Sequence, residues 1–182
     1  MRVIAGSARR STLLAPQGLN TRPTADRIKE NLFNIISPYV PGARFLDLFC
    51  GSGAIGIEAL SRGAGEAVFV DTSREAVNVT QANIIRTKLT GQIMHMCTLA
   101  AISRLEGEGR GFDIIFLDPP YGSGMLDKAL EALDSSPLLS QDGILIAECS
   151  VDEEVPELVH LILQDTREYG NTRLMFYKRG SK

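Results

Sequence analysis

No apolar run in this chain approaches the roughly 18 residues that a membrane-spanning helix needs, so a bilayer-embedded protein is not expected. The opening Met1-Arg2-Val3-Ile4-Ala5-Gly6-Ser7 lacks the apolar segment of a secretory leader, and a cytoplasmic location is the expectation. Cysteine is scarce. Cys50, Cys97 and Cys149 are odd in number and too far apart for paired zinc spacing, which points to a reduced compartment and to no metal site. Cys97 and Cys149 lack the neighbours of an activated nucleophile, so covalent cysteine catalysis is disfavoured. Cys50 stands in a functional-looking loop, where a small buried residue is its simplest role. His95 and His160, the two histidines, have no acid at useful sequence spacing, and packing or surface roles are expected for both. Internal repeats and low-complexity stretches are also missing.

What is present fits one globular unit: 182 residues, 44% of them hydrophobic. The net charge of -3 gives no overall attraction to nucleic acid, but the charge is unevenly spread. Residues 1–29 hold six basic side chains against Asp26 alone, a net of +5. The rest holds thirteen basic against twenty-one acidic, a net of -8. A basic arm on an acidic body suits phosphate binding, although a solvated surface segment would read the same way.

Residues 1–23 read as irregular, with one short strand expected at Arg2–Ala5. Thr24 is a good helix N-cap, and Ile28, Leu32, Ile35 and Ile36 follow at helical spacing until Pro38 and Pro41-Gly42 end the helix. From there strands and helices alternate. Strands are expected at Arg44–Phe49, Ala67–Asp71, Gln92–Met96, Phe112–Leu117 and Gly143–Cys149. The helices between them are expected at Ala54–Ser61, Ser73–Lys88, Leu99–Leu105 and Met125–Leu133. Such alternation argues for an α/β fold with a mainly parallel sheet covered on both faces. The ending departs from it. Leu161–Tyr169 and Thr172–Tyr177 flank Gly170-Asn171, a hairpin turn signal, so an antiparallel hairpin closes the sheet.

The first strand leads into Asp47-Leu48-Phe49-Cys50-Gly51-Ser52-Gly53-Ala54-Ile55-Gly56. Gly51–Gly56 matches GxGxxG, which by itself says only that a ligand approaches backbone at a helix start. A dinucleotide would lay its pyrophosphate there, and Asp47 would then set a carboxylate close to it. S-adenosylmethionine carries no phosphate and presents an ammonium and a sulfonium, which an acid attracts. Asp71 ends the second strand, where an acid accepts from ribose hydroxyls of any adenosine cofactor, or simply caps the next helix.

Asp118-Pro119-Pro120-Tyr121 leaves the fourth strand as a stiff loop rich in acceptors. A purine's exocyclic amine is a poor nucleophile because its lone pair is delocalised into the ring. Two acceptors aimed at its N–H bonds favour pyramidalisation and free that lone pair. The Asp118 carboxylate and Pro119 carbonyl suit the task, since prolines offer carbonyls with no competing N–H. Tyr121 suits stacking on the base, and rate enhancement would come from alignment and charge stabilisation. The plain alternative is a strand-ending turn with a chance tyrosine.

Together these residues resemble the class I S-adenosylmethionine-dependent amino-methyltransferases. More narrowly, the chain resembles the RsmD family, which methylates the N2 amine of one guanine in bacterial 16S ribosomal RNA. The resemblance is carried by Arg2-Val3-Ile4-Ala5-Gly6, by the segment from Thr21-Arg22-Pro23-Thr24 through Arg27 to Asn34, by the glycine and Pro-Pro loops, and by Tyr169-Gly170-Asn171-Thr172-Arg173-Leu174. The Arg22–Asn34 segment is its most specific part. It implies a Rossmann-like, seven-stranded sheet with an antiparallel C-terminal hairpin and helices on both faces. Residues 1–38 would be a basic RNA-binding extension and helix, and 39–182 a compact methyltransferase unit. Asp47, Phe49, Gly51, Ser52 and Gly53 would surround the methionine end of the cofactor, Asp71 the ribose, and Thr98 and Leu99 the adenine. Asp118, Pro119, Pro120 and Tyr121 would hold the target amine. Arg9, Arg10, Arg22, Thr24 and Arg27 would contact RNA, with Arg22 and Thr24 alternatively facing the cofactor's carboxylate. The expected partner is 16S rRNA within the small ribosomal subunit, met by a monomer, and the target guanine must leave any stack to enter the site. The family places an acid where Met96-Cys97-Thr98-Leu99-Ala100 here puts Thr98, so weaker cofactor binding is expected. Three other readings stay open: an N6-adenine DNA methylase, an NAD-linked oxidoreductase and a non-catalytic RNA-binding module.

Overall fold

The computed structural model describes residues 1–16 and 23–180, and in the second span the side chains from residue 26 onward. Arg22 lies outside the described residues, and Thr24 is described only as backbone within the first helix.

Seven strands form one sheet in the order β3-β2-β1-β4-β5-β7-β6. They are β1 (Arg44–Asp47), β2 (Glu66–Asp71), β3 (Gln92–His95), β4 (Phe112–Leu117), β5 (Leu139–Ser150), β6 (Leu161–Tyr169) and β7 (Thr172–Arg179). The first five pair in parallel, and only β7 runs against its neighbours β5 and β6. The helices are α1 (Pro23–Ile35), α2 (Ala54–Ser61), α3 (Arg74–Thr87), α4 (Thr98–Gly107) and α5 (Met125–Asp134). This is the Rossmann-like class I methyltransferase architecture.

The alternation of side chains along each strand explains the two layers. Phe45, Phe69, Ile114, Phe116, Ile146 and Phe176 pack on one face with α1, α2 and α3. Leu46, Val68, Ile115, Leu117, Leu145 and Met175 pack on the other with α4 and α5. Because both faces are buried, β2 and β4 are apolar almost throughout rather than alternating with polar residues. Among the described residues, no helix is long and apolar enough to cross a membrane.

The N-terminal arm folds back on itself. Arg2 bridges Thr12, and Val3, Arg10 and Leu13 exchange backbone bonds with Ser11, Val3 and Met1. It docks on α2, where the Ser7 N–H donates to the Ser61 carbonyl at 2.7 Å and the Ala8 N–H to Ser61 Oγ at 2.9 Å. Gly6, at φ +83°, makes this approach possible: a Cβ there would lie 1.7 Å from the Ser61 carbonyl oxygen. The buried Glu58 carboxylate accepts from the N–H groups of Ile4 and Ala5 at 2.8 and 3.0 Å.

Candidate active site

The sheet reverses its strand order between β1 and β4, and open α/β sheets bind ligands outside the strand ends at such a point. A cavity of about 610 Å³ opens there. Asp47 and Phe49 reach it from the end of β1, Gly51 and Ser52 from the glycine loop, and Asp118 from the end of β4. Glu148 of β5, Lys29 of α1 and the Tyr169–Thr172 turn complete the wall.

The glycine loop is built by backbone geometry. Gly53 is the N-cap of α2 at φ +75°, and a Cβ there would press on Thr80. The Thr80 hydroxyl donates to the Gly51 carbonyl, and the Asn83 side-chain amide to the Ser52 carbonyl at 2.8 Å. Asn83, fully buried, also donates to the Leu14 carbonyl and accepts from the Leu14 N–H. One α3 side chain thus joins the arm to the glycine loop. Asp71 accepts from the Gly51 N–H at 2.9 Å and the Ser73 N–H at 2.8 Å, which orients its carboxylate beside the loop. Cys50 is buried, its thiol pushed upward by burial and by Asp47, which agrees with a packing role.

Asp47 is 1% exposed, and among the described residues neither carboxylate oxygen has a hydrogen-bond partner. Burial pushes its acid up to about 7, tempered by the nearby Gly56 and Phe49 N–H groups and reinforced by Asp71. Those two N–H groups ease the charge through their dipoles without reaching hydrogen-bonding geometry. An orphaned, buried carboxylate lining a cavity is the donor set for a cation, and the sulfonium and ammonium of S-adenosylmethionine fit it.

Asp118 lies at the mouth of the cleft. The surrounding protein raises its carboxyl well above the usual carboxylate range, and Glu148 and Asp47 raise it further. Because solvent reaches the residue, the neighbouring charges are the firmer part of that cause. Pro119 is buried and Pro120 exposed. The Tyr121 hydroxyl donates to Glu148 Oε1 at 3.1 Å and lies 3.2 Å from Thr172 Oγ1, leaving a half-exposed ring pinned at the rim.

Gly53, Asp71, Thr98, Leu99, Pro119, Pro120 and Tyr121 do not line this cavity, although Gly53 and Asp71 shape the loop that does and Tyr121 stands at its rim. Thr98 is 3% exposed, and its hydroxyl donates to the Leu48 carbonyl, tying α4 to the end of β1. Leu99 is the outward residue of that pair. Arg9, Arg10 and Arg27 are exposed, the first two at the tip of the arm.

Sequence reasoning missed Glu148, Lys29, Glu58 and Asn83 as members of this region. An acid inside the apolar Ile144–Cys149 run and another inside α2 were the available signals. Lys29, counted only as part of the basic arm, is 3% exposed. It donates to the Arg2 carbonyl at 2.6 Å and lies 3.6 Å from Glu58. Among the described residues no group of acids, histidines and cysteines could hold a metal. His95 is exposed, and His160 has an acid partner after all, Asp134 at 3.2 Å.

Against known proteins, the family model described as Conserved hypothetical protein 95 matches residues 1–178. The chain belongs to this family, the RsmD-type methyltransferases. It is 41% identical over 182 residues to YlbH of Bacillus subtilis (strain 168), provisionally named an rRNA methyltransferase, covering 98% of this chain and 99% of that one. It is 34% identical to Ribosomal RNA small subunit methyltransferase D of Escherichia coli (strain K12), over 86% of this chain and 78% of the relative. The solved structure of yhhF from Escherichia coli, provisionally titled a methyltransferase, superposes with a TM-score of 0.88 at 29% identity, over 100% of this chain and 99% of that one.

Proposed function

We propose that this RsmD-family protein transfers a methyl group from S-adenosylmethionine to the N2 amine of a guanine in 16S rRNA of the small ribosomal subunit. The observation that carries the reading is the meeting of a buried acid without a described partner, Asp47, and a second acid, Asp118, in one cavity at the switch point. S-adenosylmethionine, when bound, supplies a methyl group on a positively charged sulfur. Asp47 suits the cationic methionine end, with Phe49, Gly51 and Ser52 lining the walls and Gly53 setting the turn behind them. Asp71 keeps lone pairs free for ribose hydroxyls beyond its two backbone bonds. Asp118 and the Pro119 carbonyl accept from the amine, and Asp118 can hold the proton that the amine loses. Pro120 stiffens the loop, and Tyr121 offers its ring to the base. Arg9, Arg10 and Arg27, together with Arg22 and Thr24, supply charge and polarity for the rRNA backbone.

The test incubates the protein with radiolabelled S-adenosylmethionine and small subunits lacking the modification, then maps the label. Label on one guanine N2 is expected. Absence of label from RNA, or label on adenine of a duplex DNA control, overturns the reading. Asp118→Ala separates enzyme from passive binder: turnover should fall roughly 100- to 1000-fold, the scale of losing a principal electrostatic contact, while cofactor binding is largely kept.

A further inference from the structure

Glu148 has no part in the amine chemistry described above, yet it stands beside it. In the parallel pairing of β4 and β5, Leu117 is opposite Ala147, so Asp118 and Glu148 each follow by one residue at the same end of the sheet. Both carboxylates line the same cavity. Glu148 Oε1 is fixed by the Tyr121 hydroxyl, itself held against Thr172. Among the described residues no hydrogen bond reaches Oε2, which leaves it facing the cavity for a ligand.

We propose that Glu148 is a specificity-determining residue, its carboxylate accepting from the ring N1–H of the target guanine while Asp118 and the Pro119 carbonyl accept from the neighbouring N2 amine. This rests on the reading of the target as guanine N2. The chemistry of the bases supports it. Guanine presents two adjacent donors, N1–H and N2–H. Adenine and cytosine each set their amine beside a ring nitrogen that is an acceptor. Two carboxylates side by side therefore match guanine and confront the other amino bases with a lone pair against a charge. The same pair gains from guanine alone, since two N–H donors relieve the repulsion between acids that crowd each other.

The experiment places 2-aminopurine at the methylated position of the rRNA by ligation and assembles it into small subunits. This base keeps the 2-amine but carries an acceptor at N1. The wild-type protein should methylate guanine at least 100-fold more efficiently, by kcat/KM, than 2-aminopurine, as sites built around a hydrogen bond do. Glu148→Gln should lose activity on guanine and narrow that ratio at least tenfold, because its amide can donate to N1. Tyr121→Phe frees Glu148 without removing its charge, and should slow both substrates while keeping the ratio. The proposal is overturned by a wild-type ratio near unity, by an unchanged ratio in Glu148→Gln, or by Tyr121→Phe shifting the ratio as Glu148→Gln does. The last result would make Glu148 a support for Tyr121. If wild type methylates no guanine, the functional reading itself fails, a result distinct from any of these.

Discussion

Asparagine in place of Asp47 should make the protein more stable and useless. The folded acid titrates at about 7, against an ordinary 3.8. The folded state therefore keeps a proton that the unfolded chain releases between those values. Stability falls as pH rises through that window, and the loss is complete above about 7. Three pH units at 1.36 kcal/mol each give a cost of about 4 kcal/mol for an ionised Asp47 at pH 8. The side chain is 1% exposed, so solvent screening does little to reduce it. Asparagine has nearly the same shape and no charge, but leaves an amide unsatisfied at a cost of about 1–3 kcal/mol. The net gain at pH 8 is thus about 1–3 kcal/mol. The firmer quantity is its pH dependence. The advantage of Asp47→Asn should grow by about 3 kcal/mol between pH 5 and pH 8 and level off above 7. Urea denaturation of both proteins at half-unit pH steps, without cofactor, measures it. Calorimetric titration with S-adenosylmethionine should show binding weakened at least 100-fold, the scale of a lost buried charge contact. A stability difference that does not vary with pH would refute the reasoning, because it would mean that Asp47 is not ionising at a raised value in the fold.

Four further outcomes follow from the same geometry. Gly6→Ala sets a Cβ against the Ser61 carbonyl at a positive φ, and should lower stability by about 2 kcal/mol or more in thermal melts. Asn83→Ala removes three hydrogen bonds, the one to Ser52 buried and the two to Leu14 partly so, and a loss of about 3 kcal/mol and weaker cofactor binding are expected in denaturation and calorimetry. Replacing Arg9 and Arg10 together by alanine should leave cofactor affinity unchanged while lowering the salt slope of subunit binding by about 2, read by filter binding at several ionic strengths. Turnover at saturating substrates should rise with pH through an apparent value above the ordinary carboxylate range, because Asp118 and Glu148 accept most strongly when ionised, and acidic neighbours raise Asp118 while burial raises Glu148. A rate already flat from pH 4 upward would count against that assignment.

The layers of the fold were legible because they depend on local pattern. Phe112–Leu117, the hairpin about Gly170-Asn171 and the Ser73 cap, which accepts from the Ala76 N–H, all appear where periodicity and turn chemistry put them. β5 was read too short. Its opening Leu139–Asp142 is polar in part, and it joins the sheet through a register shift opposite Phe112 and Ile114 that no periodicity announces. The first helix begins at Pro23, one residue before Thr24, which is therefore inside the helix rather than its cap. The same division holds in the site. Asp47, Gly51, Gly53 and Asp118 stand at strand and helix ends, where a residue's chemistry shows in its local sequence. Glu148, Glu58 and Asn83 take their meaning from segments 27 to 69 residues away, such as Tyr121, Ile4 and Leu14. Thr98 illustrates the point in reverse. Its position suggested the adenine, whereas its buried hydroxyl is engaged by the Leu48 carbonyl fifty residues back.

The crowding of acids in the cleft also bears on how its two proposed ligands affect one another. Asp47, Asp118 and Glu148 each make ionisation of a neighbour costlier: Asp118 feels both others. A cation held by Asp47 removes one repulsion from Asp118 and favours the ionised form that receives an amine. Donors from a guanine hold Asp118 and Glu148 in their ionised forms, and the added negative charge draws a cation to the same cleft. Each ligand thus lowers the same electrostatic penalty for the other, and linkage requires the effect to be equal in both directions. Such coupling needs no moving part, because the three carboxylates at neighbouring strand ends share one field. Calorimetric titration of S-adenosylmethionine with and without the RNA substrate should show the two ligands tightening each other's binding, and equal affinities in the two titrations would refute it.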